Sequence, residues 1–393
     1  MHPEEITGSP AYANWKEYIK RTPVQITYEF PLFTDAYIVG EFTTETGPYQ
    51  FLNTVPAPRE GSLAPFIMLR AEYYESYKPM EPTNKTNVQG FHGGFINDEI
   101  ASLLSLLLGI RLKSGYRSRR FEPGGDPKGY PTLAKHSPDP ILPIATYREP
   151  VLPRVLGQRR LGDLSLFMDL PSIQPVESIA LARAARNYQN AVWIAESEPE
   201  LSWLLMVSAI EVAANHWRPA QEPAVERLNA SSPELVKLLQ EKGGDGFVQQ
   251  VADLIADKLG STKKFIDFII EFLPKPPQDR PPEGFQIQWS KSGMKELLTT
   301  VYKLRSKALH TGIPFPPPMS MPPLHAGGRF VEKPPALAAT IVGMNGRWVA
   351  KDTPLLLHTF EYIVRHSLLN WWKSLLTKND LLNPIINRHI YNP

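Results

Sequence analysis

The stretch VESIALARAARNYQNAVWIAES, Val176–Ser197, runs almost directly into PELSWLLMVSAIEVAANHW, Pro199–Trp217. In the first, Ile179, Ala182, Ala185, Gln189 and Val192 recur at helical spacing. Two long helices with so short a link predict an antiparallel pair. The same texture continues through SPELVKLLQEKGG, GFVQQVADLIADKLG, STKKFIDFIIEFL, SGMKELLTTVYKLRSKALHTG and TPLLLHTFEYIVRHSLLNWWKSLLT. Several of these segments begin at Ser, Thr or Pro and stop at Gly, the usual punctuation of helix ends. No internal repeat is evident. The chain beyond Val176 therefore predicts a helical bundle.

Upstream the texture differs. Between about Thr22 and Tyr77, the runs VQITYEF, AYIVGEFTT and FIMLRAEYY are β-branched and aromatic and are bounded by Pro and Gly, which predicts short strands. NDEIASLLSLLLGIRL, Asn97–Leu112, predicts a helix capped by Asn97 with acids in its first turn. The Gly/Pro-rich segment after it, SGYRSRRFEPGGDPKGYPTLAKHSPDP, shows no clear period. Pro and Ser in DLPSIQPVE, Asp169–Glu177, separate the two textures. The expected class is α+β. A mixed β/α domain over residues 1–172 recognises or regulates, and an all-α bundle follows over 173–385. Pro-rich insertions fall at 274–284 and 314–335, where prolines favour extended loops over packed helix.

Composition narrows the function classes. Of 393 residues, 42% are apolar and 21% charged, as in a soluble globular chain. The absence of cysteine excludes a disulfide framework and a thiolate metal site, and it suits a reducing cytosol, so a cytoplasmic location is expected. MHPEEITGSPAYANWKEYIK has no apolar core of a secretory signal. No apolar run reaches the ~18 residues that cross a bilayer, so no membrane partner is expected. Up to Ser172 the chain carries 18 Lys and Arg against 19 Asp and Glu, and beyond it 24 against 21. Neither half is strongly basic, so any contact with nucleic acid runs through local patches.

The sharpest local pattern is VYKLRSKALHTG, Val301–Gly312. Met294, Leu297, Leu298, Val301, Leu304 and Ala308 form one apolar stripe, with Arg305 at its edge. His310 lies five positions after Arg305, about 140° round an ideal helix. The two side chains share a face only if the helix ends near Leu309, or if a second copy of the chain supplies the missing partner. Ser306 and His310, at i and i+4, do share a face. Taken alone, an arginine at a stripe edge and a histidine at a helix C-terminus are ordinary structural choices.

Here the residues resemble the HEPN superfamily, whose hallmark is an arginine and a histidine separated by a short spacer on a helix of a small all-α bundle. LRSKALHTG is similar to the Apea-like branch, and SWLLMVSAIEVAANHW, with Glu211 inside an apolar run, is similar to its upstream helix. The resemblance covers roughly Val176 to Leu376. It implies a metal-independent endoribonuclease acting as a homodimer through the C-terminal bundle, with no cofactor. Arg305 and His310 would be catalytic, and Ser306, Glu211 and Asn215 supporting. Many HEPN nucleases carry Asn, Asp or His directly after the arginine, where this chain has Ser306. Such proteins are commonly toxins or anti-phage effectors that cut RNA, and such an activity needs an inhibitor or activator protein, for which the N-terminal domain is the expected docking partner. The chemistry suits the residue types. RNA brings its own nucleophile, the 2′-OH; an imidazole moves protons near neutrality; a guanidinium holds phosphate bidentately. A non-catalytic module that binds nucleotide or protein is the competing expectation, and a regulatory scaffold is the third.

Other patterns are weaker. RLKSGYRSRRF, Arg111–Phe121, interleaves Arg111, Lys113, Arg117, Arg119 and Arg120 with Tyr116 and Phe121, a composition that tracks a phosphate backbone and stacks bases, or that lines a solvated loop. RVLGQRR, Arg154–Arg160, adds three more arginines. GFHGGFINDE lacks the Gly-Lys-Ser/Thr ending of a phosphate loop and puts Asp98 and Glu99 where phosphate would sit, so it predicts a structural turn with little call on His92. His358 and His366 are too far apart on one helix to chelate together, and no metal site is expected. Trp371 and Trp372 are expected as core or dimer-interface anchors.

Overall fold

The structure, a computed structural model, describes residues 7–382 except 44–46, 56–61, 75–85, 134–137, 163, 218–222, 256–259, 336–338 and 342–345. In chain order it forms α1 (Pro10–Ile19), β1 (Ile26–Thr34), β2 (Tyr37–Val39), β3 (Tyr49–Asn53), β4 (Ala64–Tyr73), α2 (Ile96–Leu108), β5 (Lys113–Ser114), β6 (Arg119–Phe121), β7 (Tyr130–Pro131) and β8 (Gln158–Arg160). Then come α3 (Ser165–Met168), α4 (Pro175–Ile194), α5 (Pro199–Trp217), α6 (Ala224–Ser231), α7 (Pro233–Ile255), α8 (Ser261–Glu271), α9 (Lys291–Thr311), α10 (Pro317–Ser320) and α11 (Leu357–Leu382). The chain is α+β: α1 precedes the main sheet and α2 interrupts it, most of the helices follow, and two short hairpins, β9 (His325–Ala326) with β10 (Arg329–Phe330) and β11 (Ala339–Ile341) with β12 (Gly346–Trp348), lie between α10 and α11.

The sheet is antiparallel and centred on β1 and β4, with Ile26 opposite Tyr73 and Leu32 opposite Ile67. Its order is β3–β4–β1–β6–β7, and β5 also pairs with β1. Ile67, Leu69 and Ala71 alternate into the core along β4, as the two-residue period of a half-buried strand requires. The strands β5 to β7 arise from the segment that showed no period. They are two or three residues long, too short to display an alternation.

Helix α2 is apolar nearly all round and is covered on all sides, with Ile100, Leu103, Leu104 and Leu106 fully buried. Each such side chain contributes roughly 1.5–3 kcal/mol on burial. Asn97 is not its cap. The helix begins one residue earlier, the Asp98 carboxylate accepts from the Phe95 N–H at 3.0 Å, and the Asn97 amide donates to Ser114 Oγ instead. α2 packs on α1, α4 and α11, so one hydrophobic cluster runs from Trp15 and Leu69 through Leu103 and Tyr188 to Ile210 and Trp371. The change of texture near Asp169–Glu177 is thus no gap in the core. Helices α4 and α5 pack as the antiparallel pair, joined through Ala195–Glu198. Trp371 and Trp372 are both fully buried, which removes them as interface anchors and leaves them in the core. Among the described residues no helix is long and apolar enough to cross a membrane.

Candidate active site on the ninth helix

Helix α9 begins where Ser290 Oγ accepts from the Gly293 N–H at 3.2 Å, and it ends at Gly312, whose φ of 70° is the left-handed C-terminal cap that glycine adopts without strain. Its stripe of Met294, Leu297, Leu298 and Val301 is buried against the bundle. The helix stays intact through Thr311, past both Arg305 and His310. Within one chain the two side chains therefore point about 140° apart, separated by ~7.5 Å along the axis. The route in which the helix breaks early to bring them together is removed.

Arg305 is oriented from α5. Its Nη2 donates to Glu211 Oε2 at 2.7 Å, and the Tyr302 hydroxyl donates to Glu211 Oε1 at 2.8 Å. The guanidinium carbon sits 5.4 Å from the centre of the Tyr302 ring. Tyr302 and Arg305 are one turn apart on α9, and Glu211 lies in the second half of α5, so one carboxylate locks two helices together. Burial first, and then the hydrogen bond and charge of Glu211, push the Tyr302 phenol up to about 12, so it remains a donor at neutral pH. Arg305 keeps 22% of its side-chain surface exposed and Glu211 18%, while Arg305 Nε is buried without a partner. Tyr302 was not singled out from the sequence. The available signal was its i, i+3 spacing to Arg305, which a buried aromatic on a core stripe shares with any packing residue.

His310 is exposed on the last turn of α9, flanked by Leu309 and Ile313, which are 53% and 57% exposed. Ser306 is half-buried one turn before it, and Asn215 is exposed one turn beyond Glu211 on α5. The site thus holds Arg305, Glu211 and Tyr302 in direct contact, with Ser306, Asn215 and His310 around it and not bonded to one another.

The basic run on the N-terminal sheet separates into different environments. Arg111 is corrected from a phosphate contact to a core ion pair: it is 4% exposed, donates to Asp35 from Nε and Nη2 at 2.9 and 2.5 Å, and donates from Nη1 to Glu196 at 3.1 Å. It ties α2 to the end of α4 and cannot reach a polynucleotide. Arg119 is spent on the carbonyls of Lys128 and Gly129, holding the turn before β7. Lys113 lies 4.8 Å from the Trp193 ring, and burial lowers its pKa. Arg120 is exposed, near Glu122 at 3.4 Å. Arg120 also lies 5.8 Å from the Tyr130 ring, and Arg117 lies between two rings, 4.9 Å from that of Tyr28 and 5.6 Å from that of Tyr116, at a cavity of about 520 Å³ also lined by Phe30, Tyr73 and Phe95.

His92 is buried with Glu99, their nearest atoms 3.5 Å apart. Burial pushes the imidazole down and the carboxyl up to about 7, so both groups resist charging and the contact is no strong ion pair. His358 and His366 are each engaged by a backbone carbonyl, Val331 O at 2.7 Å and Tyr362 O at 2.8 Å. No family model, no curated protein and no solved structure matches the chain.

Proposed function

We propose that the protein is a metal-independent endoribonuclease of the HEPN type, acting as a dimer in which two α9 helices meet. The observation that carries this reading is the pairing of a fixed, partly exposed guanidinium with a free, exposed imidazole on one helix, too far round for one chain to use both. A two-fold arrangement brings the His310 of one copy toward the Arg305 of the other, and an isologous contact does so twice. The exposed Leu309 and Ile313 beside His310 supply apolar surface for such a contact.

The step balances without a metal. One imidazole takes the proton of the ribose 2′-OH, whose oxygen attacks the adjacent phosphorus. The bond to the 5′-oxygen breaks, and the second imidazole, protonated, returns a proton to that leaving oxygen. The products are a 2′,3′-cyclic phosphate and a 5′-OH. Arg305, aimed by Glu211 and Tyr302, holds the non-bridging oxygens as charge builds on them. Arg117 with its aromatic neighbours is the sequence-tolerant stacking surface for the substrate. Such an activity suits a toxin or anti-phage effector.

A second reading rests on the same ion pair. Glu211 offsets the charge of Arg305, which weakens its pull on phosphate and favours a non-catalytic nucleotide- or partner-binding module. The deciding experiment measures cleavage of a mixed RNA pool by the purified dimer, with end-group analysis. His310→Ala is expected to lower the rate at least ~10²-fold with the dimer intact. Undiminished cleavage in that variant, or no cleavage by the wild-type dimer, overturns the enzyme in favour of the binding module.

A further inference from the structure

A second cavity, of about 500 Å³, lies where the C-terminal end of α2, the segment from Arg154 to Arg160 and the first turns of α11 meet. It shares no lining residue with Arg305, Glu211 or His310. Four arginines line it, Arg154, Arg159, Arg160 and Arg365, against a single carboxylate, Glu361. Guanidinium stays charged at any physiological pH, so four of them around one cavity repel unless something neutralises them.

Two of the four have a structural reason to be there. Arg159 Nε donates to Leu108 O at 2.7 Å and its Nη2 to Arg154 O at 2.5 Å. Arg365 Nε donates to Leu106 O at 2.8 Å, and its Nη2 donates to Leu107 O. Both satisfy the last carbonyls of α2, where the helix dipole presents about half a negative charge. Gly109 permits the approach: its φ of 64° is left-handed, and a Cβ there would lie 2.7 Å from Arg365 Cζ. That half charge offsets only part of one guanidinium.

The other two have no such reason. Arg154 lies 5.5 Å from the Tyr362 ring, and Arg160 is exposed at the end of β8. Among the described residues, no carboxylate comes within ion-pair distance of any of the four arginines. Glu361 is buried and takes a hydrogen bond from the Tyr188 hydroxyl at 2.6 Å, and burial raises its pKa. His366 adds no negative charge. Its Nδ1 sits 2.8 Å from Tyr362 O, which assigns the N–H there, and Nε2 faces Arg365 Nη1 at 3.5 Å. Burial and then the Arg365 charge hold this imidazole at about 4, hence neutral. The rings of Tyr362 and His366 lie 4.0 Å apart and give the cavity one aromatic wall.

We propose that this cavity binds a small phosphorylated ligand, a nucleoside phosphate, with Arg154 and Arg160 closing on its phosphates over the fixed Arg159 and Arg365. The size suits such a molecule, the free guanidinium forks suit phosphate oxygens, and the Tyr362–His366 wall suits a base or sugar. The site lies between the sheet-bearing region and α11, so its occupation braces those two parts.

The test is calorimetric titration of the full chain with ADP, AMP, inorganic phosphate and adenosine at about 0.1 M salt. ADP is expected to bind, more tightly than AMP, and adenosine to bind weakest. Arg160→Ala, at an exposed position, and Arg154→Ala are each expected to weaken ADP at least about tenfold, with the unliganded Tm close to wild type. If Arg154→Ala does not fold, Arg160→Glu carries the same test. Binding of phosphate as tightly as ADP supports the anion site and shows that the phosphate alone is read. No heat from ADP or phosphate, or unchanged ADP affinity in Arg160→Ala and Arg160→Glu, overturns the proposal. None of these readouts depends on RNA cleavage.

Discussion

Two glutamates sit on apolar helices in this chain, Glu99 in the first turn of α2 and Glu211 in the second half of α5, and they meet opposite fates. Glu211 on α5 is gripped by Arg305 and Tyr302, both from α9. Glu99 on α2 is fully buried; it accepts from the Ala11 N–H at 2.9 Å, and the basic group beside it is the His92 imidazole at 3.5 Å, itself pushed by burial toward its neutral form. Burial pushes Glu99 up to about 7, so about half of it still holds its proton near neutrality, where an ordinary carboxyl holds almost none. The local strings, VSAIEVA and NDEIASLL, give little warning of the difference. What separates the two residues is whether a cation arrives from elsewhere in the chain, more than ninety residues away in the case of Arg305.

Arg111 is the mirror image, one cation between two carboxylates, and it offers the largest effect. Arg111→Leu leaves Asp35 and Glu196 buried without their counter-charge, and it is expected to cost roughly 3–5 kcal/mol in denaturant unfolding. A loss of RNA affinity with unchanged stability would instead return Arg111 to the phosphate-binding surface.

Glu99 comes next. Its folded pKa lies above the unfolded value of about 4.5, so the folded state holds the proton more tightly. The associated stability is present below about pH 4.5 and is lost as pH rises toward 7. Glu99→Gln removes that loss and is expected to gain on the order of 3 kcal/mol at pH 8, with little change at pH 4.5. A wild-type pH–stability profile with no slope between pH 5 and 7 relative to Glu99→Gln would show that Glu99 is ionised like an ordinary carboxylate.

Glu211→Gln probes the paired member. It keeps an acceptor for Tyr302 but removes the charge facing Arg305, and a stability loss of about 1–2 kcal/mol is expected. RNA cleavage should fall as Arg305 loses its aim. A rise in phosphate affinity with no cleavage would favour the binding module. Arg120→Ala closes the series. Exposed and only loosely near Glu122, it is expected to change stability by less than about 0.5 kcal/mol, and any effect on RNA affinity should fade with salt.

The same division runs through the fold. VQITYEF and FIMLRAEYY became β1 and β4, because long runs of β-branched and aromatic residues carry their own signal. AYIVGEFTT yielded only the short β2, whose partner is β8 in parallel register more than a hundred residues later. No local pattern announces such a pairing. The helices α4, α5, α7, α8, α9 and α11 were readable from periodicity; the short α6 and α10, the latter inside the Pro-rich stretch expected to be extended, were not, nor was the hold of α2 on both α4 and α11, which merges the two textures into one core.

In the same way, VYKLRSKALHTG by itself marked Arg305 and His310 and foretold that an unbroken helix would hold them apart. RLKSGYRSRRF marked five cations without revealing that one is buried, one caps a turn and three lie over aromatic rings. By itself the amino-acid order determined the helices, the principal strands and the chemical kinds of side chain available, because each follows from spacing within a few turns or pleats. Only the tertiary structure decided which charges are paired, which are stranded and which line a cavity. Electrostatic balance depends on what lies within a few ångströms in space, and those neighbours come from anywhere along the chain.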